Sequence, residues 1–442
     1  MPKLLIGNVD NEHQVRDVSG YTREERSEII LCNQRMMWLA EPGDMLVVPT
    51  PPDPEIVAYW AELNSCSPND LEILAPAGNG NGPVAFLRQD VMFDQAFLET
   101  CRLAIENRPP NWRPEAFLAY FADNYAAEFA SRIGVPVRDP FLYEGRATLL
   151  NQKTVFRKLA AGIGSALPEG RVCDNAADLR RAIKHFVGQG ADFIVKMDRQ
   201  AGGFGNFIVH GPRSTGKQLG SSTVFSYRDA SDADQLCAEV IRRIDEPAVV
   251  ERYVDTQHVL YSEYLIEGPG RYRLMNDGTM DMKPLWVGFE IPGTYPTAHR
   301  MRFLDESARI VSVVSQMGYR GYINIDGLVA ENQVFLNEIN GRCGGCSHVF
   351  ETARRLFGSD VLTGKHIKTY NHGYFTRRGD LVAALEKAGL LLRKGDQAGI
   401  VPFNVDYELT GTFEFMAVAS TVEEARALCD LALSATTADK AA

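Results

Sequence analysis

A chain of 442 residues that is 45% hydrophobic and 23% charged has enough apolar surface for several cores, and its length favours two to four structural units. A formal charge of -11 without any dense Lys/Arg run argues against nucleic-acid or membrane-surface binding, and no stretch of about 18 apolar residues could span a bilayer. The opening MPKLLIGNVDNEHQ has no signal-peptide core or cleavage site, so the expected location is the cytoplasm.

The first third alternates short apolar runs with helix-like stretches. KLLIG, DMLVVP from Asp44 and LEILA from Leu71 read as strands of a small parallel α/β domain. The loop GNGNGP from Gly78 lacks the GxGxxG spacing of a dinucleotide site and reads as a mobile connection. From Pro114 to Ile133 the spacing of Phe117, Phe121, Tyr125 and Phe129 predicts one helix, closed by Gly134 and Pro136.

From Leu149 the pattern becomes helix, strand, Gly-rich turn, strand, helix. NQKTVFRKLAA opens it, and AADLRRAIKHFV presents Leu179, Ile183, Phe186 and Val187 on one face. AVVERYV and HVLYSEYLI are expected to be neighbouring strands, and GYINIDGLVA with QVFLNEIN a hairpin. After His372 come a helix in GDLVAALEKAGLLL, strands in GIVPFNV and TFEFMAVA, and a closing helix in TVEEARALCDLAL.

Four groups of residues carry chemistry. In DFIVKMDRQAGGFGNFIV, Lys196 precedes Gly202, Gly203 and Gly205; such glycines let backbone N–H groups approach phosphate, with the lysine as a compact cation. Taken alone, the segment reads equally as an ordinary Gly-rich hairpin. VVERYVD offers Glu251 and a following backbone edge that could meet adenine, with Asp255 or Glu263 as a ribose carboxylate; a solvated edge strand is the simpler account of each residue.

The hairpin says more. Glu338 and Asn340 are two apart on a strand and share a face. With Asp326 opposite Glu338 they form a set of hard oxygen donors suited to Mg2+, whereas unsupported carboxylates at an otherwise apolar strand face would be costly. This register requires a three-residue loop, Glu331 to Gln333, with Asn332 or a neighbour left-handed. A two-residue loop would place Asp326 opposite Asn337 and turn Glu338 away.

Arg342 follows two residues after Asn340, where a guanidinium could hold a carboxylate or an oxyanion. Cys343 and Cys346 form the chain's one CxxC without a partner pair, and the remaining cysteines are scattered singly, as core thiols are. GPRSTGKQ, from Gly211, nearly spells a phosphate loop but has Gln218 where Ser or Thr belongs and no helix behind it.

The ordered set Lys153, Lys196, AGGFGN, VVERYV, IDG and NEINGR resembles the ATP-grasp enzymes over most of the chain. YFADNYAAEFASRIGVPV, LLNQKTVFRKLA and the extra C-terminal segment look most like the pheganomycin-type peptide ligases. The resemblance implies an α/β ATP-grasp fold. A pre-ATP-grasp Rossmann-like domain would cover 1–145 and an ATP-grasp domain 146–370, with nucleotide and metal lobes at about 150–255 and 256–370. A small C-terminal α/β segment would cover 371–442.

It further implies that Lys153 and Lys196 hold the ATP phosphates, that Gly202, Gly203 and Gly205 form the flap, and that Glu251, Arg252, Tyr253 and Val254 form the adenine hinge, followed by Asp255. Asp326, Glu338 and Asn340 would bind one or two Mg2+ ions, and Arg342 would stabilise an acyl phosphate and the tetrahedral intermediate. CGGCSH departs from many relatives after NEINGR, so acyl-substrate contacts do not transfer. The implied substrates are an amino-acid-like acid, guanidino-substituted acids included, and the N-terminal amine of a peptide; nucleic acid and membrane are not expected, and a homodimer stays open. Three rival readings keep the same nucleotide residues: a ligase for another acceptor, such as a dipeptide ligase; a kinase; and a binding protein without turnover.

Overall fold

The apolar run KLLI becomes a strand, β1 (Lys3–Ile6), in the computed structural model, which describes residues 1–14, 18–77, 86–199, 202–331 and 333–437. GNGNGP therefore lies outside the described residues. β1 pairs in parallel with β2 (Met45–Val47) on one side and β4 (Ala116–Ala119) on the other, and β3 (Glu72–Leu74) lies beyond β2. The resulting order β3-β2-β1-β4 is that of a small parallel sheet, whose strands read as continuous apolar runs because both faces are covered. Leu4, Ile6, Met45 and Val47 pack with Phe97 and Phe129 in its core.

The single helix expected from Pro114 to Ile133 is instead a strand, a turn and a helix. Ala116–Ala119 is taken up by β1, and helix begins only at Asn124–Arg132. Asp123 starts that helix by accepting a hydrogen bond from the Ala126 N–H at 2.7 Å. A spacing of four residues is also an even spacing, so Phe117 suits a strand as well as a helix.

Two units make up the chain: residues 1–147, 288–292 and 342–442 in the first, and 148–287 and 293–341 in the second. The C-terminal segment groups with the N-terminal residues.

The second unit contains two sheets. One holds β5 (Gly170–Cys173), β6 (Phe193–Met197), β7 (Asn206–His210), β8 (Thr223–Ser226) and β9 (Ala248–Arg252) in the order β5-β9-β6-β7-β8. The helix Ala176–Gly188 lays Leu179, Ile183, Phe186 and Val187 against Phe193, Val195 and Val250 of this sheet. The other is built on β10 (His258–Gly268), β11 (Arg271–Met282), β13 (Gly321–Ala330) and β14 (Gln333–Asn340), in the order β14-β13-β10-β11; β12 (Trp286–Ile291) follows β11 in the chain. AVVERYV and HVLYSEYLI thus belong to different sheets and are not neighbours; residues 253–257 carry the chain from one to the other.

One face of β10 and β13 is covered by the helix Thr297–Gln316. Tyr264 Oη donates to the Leu304 carbonyl, and a Cβ on Gly327 would sit 2.5 Å from the Phe303 ring. In the first unit, β15 (His366–Tyr374), β16 (Gly399–Asp406) and β17 (Thr412–Ala419) pair antiparallel in the order β15-β17-β16. They and the segment before β16 accept buried donors from the N-terminal residues: Trp38 Nε1 to the Phe403 carbonyl at 2.6 Å and Tyr59 Oη to the Leu392 carbonyl at 2.5 Å. Among the described residues, no helix is long and apolar enough to cross a membrane.

Candidate functional site

The β13–β14 hairpin places Asp326 directly across from Glu338 and Asn324 across from Asn340. It reaches this register by a different route from the expected one. Ala330 pairs with Gln333, which makes the loop two residues long, and Glu331 takes a positive φ of 53°. The single-residue discrepancy is absorbed by a β-bulge: Gly327 pairs with Leu336 and Asp326 with Glu338, leaving Asn337 as the extra residue. The bulge returns Glu338 to the face of Asp326, where a plain ladder would turn it away.

Pairing with β10 and β11 extends that face. Tyr261 lies opposite Asp326, and Glu263 lies opposite both Asn324 and Asn276. Tyr261 Oη donates to Asn276 Oδ1 at 2.8 Å, and Asn276 Nδ2 donates to Glu263 Oε2 at 2.9 Å. Asp326, Glu338 and Asn340 are half-buried, whereas Glu263 is fully buried. Asn340 Nδ2 lies 3.5 Å from Asp326 Oδ2. Two carboxylates and an amide oxygen on one face match the donor set a hard cation takes when substrate phosphates supply the remaining oxygens. Among the described residues no cluster of three His, Cys, Asp or Glu forms a metal site by itself.

Both expected lysines reach this hairpin. Lys153 is the first residue of the helix Lys153–Gly162, and its Nζ lies 3.9 Å from Glu338 Oε2. Asp198 fixes the start of that helix by accepting from Thr154 N at 2.7 Å and Thr154 Oγ1 at 3.0 Å. Lys196, on β6, forms an ion pair with Glu251 of β9 and donates to Asn337 Oδ1 at 2.7 Å. The bulge residue therefore serves the lysine, which ties one sheet of the unit to the other. Arg157 Nη1 holds Glu251 from the opposite side at 2.8 Å.

The glycines lie in the β6–β7 turn. Gly202 and Gly203 have φ of 66° and 83°, and a Cβ on Gly203 would meet the Gly220 carbonyl at 2.9 Å, so glycine is required there on two counts. The Gly205 carbonyl accepts from Met197 N at 2.9 Å and closes the turn.

After Glu251, the Arg252 N–H is engaged by the Glu169 carbonyl and the Tyr253 N–H by the Asp192 carbonyl. The Arg252 side chain pairs with Glu169, and Tyr253 Oη accepts from Leu219 N at 2.8 Å. Val254 and Asp255 follow in irregular backbone. Asp255 pairs with Lys217 of the near-phosphate-loop sequence, which forms a connection between β7 and β8 without a helix. Of the two ribose candidates, Asp255 directly follows the segment expected to be the hinge, whereas Glu263 belongs to the polar face of the hairpin sheet.

Arg342 falls in the first unit. Its Nη1 donates to Tyr120 Oη at 3.3 Å and to the Cys343 carbonyl at 3.0 Å. Cys343 and Cys346 are buried and form no disulfide.

Sequence reasoning missed Asn324, Tyr261, Asn276, Asn337, Arg157 and Asp198. Asn324 had a signal, since it stands two residues before Asp326 on one strand. The others depend on pairing between distant segments.

A pre-ATP-grasp domain model matches residues 33–135. Comparison with curated proteins finds no match. Among solved structures, the chain is similar to N5-carboxyaminoimidazole ribonucleotide synthetase from Thermus thermophilus, with a TM-score of 0.57 and 13% identity, covering 99% of this chain and 98% of that one. It is also similar to L-amino acid ligase from Bacillus licheniformis, with a TM-score of 0.52 and 13% identity over 98% and 97% of the two chains. A third similarity is to biotin carboxylase from Campylobacter jejuni, solved as a β-γ-ATP complex, with a TM-score of 0.60 and 13% identity over 98% and 90%.

Proposed function

We propose that this chain, which has the ATP-grasp fold with a pre-ATP-grasp domain, is an ATP-dependent carboxylate–amine ligase. The observation that carries the reading is the cross-strand pair Asp326 and Glu338, restored to one face by a bulge and met by Lys153 and Lys196. The solved L-amino acid ligase and biotin carboxylase share this fold, and the first supports an amino-acid-like acid as the activated substrate. The finer proposal is a peptide ligase that joins such an acid, guanidino-substituted acids included, to the N-terminal amine of a peptide.

In this reading a carboxylate oxygen of the acid attacks the γ-phosphorus of ATP and the bond to the β-γ bridging oxygen breaks, giving ADP and an acyl phosphate. The amine nitrogen then attacks the acyl carbon, phosphate leaves, and the amine proton passes to solvent. Lys153 and Lys196 offset charge on the transferring phosphoryl group, and the glycines at 202, 203 and 205 cover it with backbone donors. Because the Arg252 and Tyr253 N–H groups are already bonded, the adenine edge falls to the backbone from Val254, with Asp255 for ribose. Asp326, Glu338 and Asn340 would hold Mg2+, which when bound neutralises phosphate charge. Arg342 holds the oxyanion of the tetrahedral intermediate.

The test is product analysis with ATP, Mg2+, a panel of amino and guanidino acids, and short peptides. Amide plus ADP and phosphate is expected. A phosphorylated hydroxyl without amide would make the chain a kinase, and no ADP with any acid would leave only binding.

A further inference from the structure

We propose that Tyr120 is a positioning residue for Arg342, aiming its guanidinium for the oxyanion step. The inference rests on the role given to Arg342 above and adds a residue that the hairpin does not contain. Tyr120 directly follows β4 at its carboxyl end, where its N–H donates to the Ile6 carbonyl at 2.8 Å. Its own carbonyl accepts from Cys343 N at 3.1 Å, and Cys343 Sγ lies 3.8 Å from the Ala119 carbonyl. The backbone carrying Arg342 is thereby stitched to the end of the parallel sheet, and Cys343 acts as a small buried anchor.

The side chains repeat that linkage. Arg342 Nη1 lies 3.3 Å from the phenol oxygen, and Arg342 Cζ is 5.6 Å from the ring centroid, within reach of a cation–π contact. Burial pushes the phenol pKa up, so Tyr120 stays neutral and accepts from the guanidinium. A neutral partner is what the oxyanion step requires, since a carboxylate in that place would orient Arg342 equally well but cancel the charge that stabilises the developing oxyanion. Arg35, which also faces this phenol, is compensated by Glu414, whose Oε2 accepts from Arg35 Nε at 2.9 Å. Cys32 beside it is a neutral thiol, its pKa pushed up to about 12 by burial.

The full chain is assayed with the acid and peptide that give most amide in the product analysis, comparing wild type, Tyr120→Phe, Arg342→Lys and the double variant. Tyr120→Phe keeps the ring and loses only the oxygen. Its kcat is expected to fall roughly 10- to 100-fold, the span of one hydrogen bond to a charged group, with KM for ATP unchanged. In the Arg342→Lys background the same change is expected to have no further effect, because the phenol acts through the guanidinium. Rates are expressed per folded molecule, from melting curves taken alongside. An unchanged kcat in Tyr120→Phe, or losses that multiply in the double variant, overturns the proposal while leaving Arg342 in its role. Full activity of Arg342→Lys, or no amide from any substrate pair, overturns both.

Discussion

Glu338 stands 3.9 Å from the Lys153 ammonium and across the ladder from Asp326, so its carboxylate serves a lysine and the proposed cation together. Glu338→Gln keeps the shape and removes the charge. Mg-dependent ADP formation is expected to fall by about 100-fold or more, because a hard cation loses one of its two carboxylates. A coupled ADP assay titrated with Mg2+ checks this, and an unchanged rate would remove Glu338 from the metal set. This pair of strands is legible in part from the residues alone: the two-residue spacing of Glu338 and Asn340 puts them on one face, and Lys153 and Lys196 stand out by order. Asn337 is not legible as a partner of Lys196, since 141 residues separate them and only the approach of two sheets brings them together.

Among the secondary elements, the bulge at Asn337 decides the chemistry of its hairpin. A two-residue loop alone would have turned Glu338 to the face covered by the helix Thr297–Gln316; the extra residue corrects the phase. Deleting Asn337 removes the extra residue, so a plain ladder from the two-residue loop still sets Glu338 opposite Asp326, and what is lost is the acceptor that Asn337 offers Lys196. The expected result is a folded protein whose Mg2+ dependence is kept but whose ADP formation falls roughly 10-fold or more, the worth of one hydrogen bond to a charged group, read from circular dichroism and the same assay; an unchanged rate would show that Lys196 does not need Asn337. Sequence does not reveal it, because loop length and strand phase look like one unknown along the residues, whereas the folded chain adjusts them separately. The 114–133 segment misleads for a related reason. Its aromatic spacing fits two element types, and the deciding mark is the capping residue Asp123, which announces a helix starting at Asn124.

For the whole molecule, buried acids set a pH dependence. Burial raises Asp10 to about 7 and Glu28 to about 7, each well above its value in an unfolded chain. The folded state therefore holds protons that the unfolded state releases between about pH 4 and pH 7. These groups cost no stability below that window and lose it progressively as pH rises through it. Asp10→Asn cannot ionise, so its melting temperature should gain on that of wild type as pH rises from about 4 to about 7 and then level off. A constant difference across that range would show that Asp10 is not buried as a neutral acid. At this scale the fold class is readable from the order of the motifs. The partition is not, because 147 residues at one end and about a hundred at the other join a single unit, and nothing local in either segment announces the other.

That discontinuity bears on how the protein is made. The second unit is complete in sequence once Gly341 has been translated, whereas Trp38 and Tyr59 must wait for the carbonyls of Phe403 and Leu392. At roughly 5–20 residues per second the delay is on the order of 15 to 60 seconds, long enough for exposed aromatic surface on a nascent chain to recruit a holdase. Ribosome-bound chains stalled at residue 370 should bind such a chaperone through their first 147 residues, and chains released at full length should not. Equal binding by both would mean that the N-terminal sheet matures without its late partners.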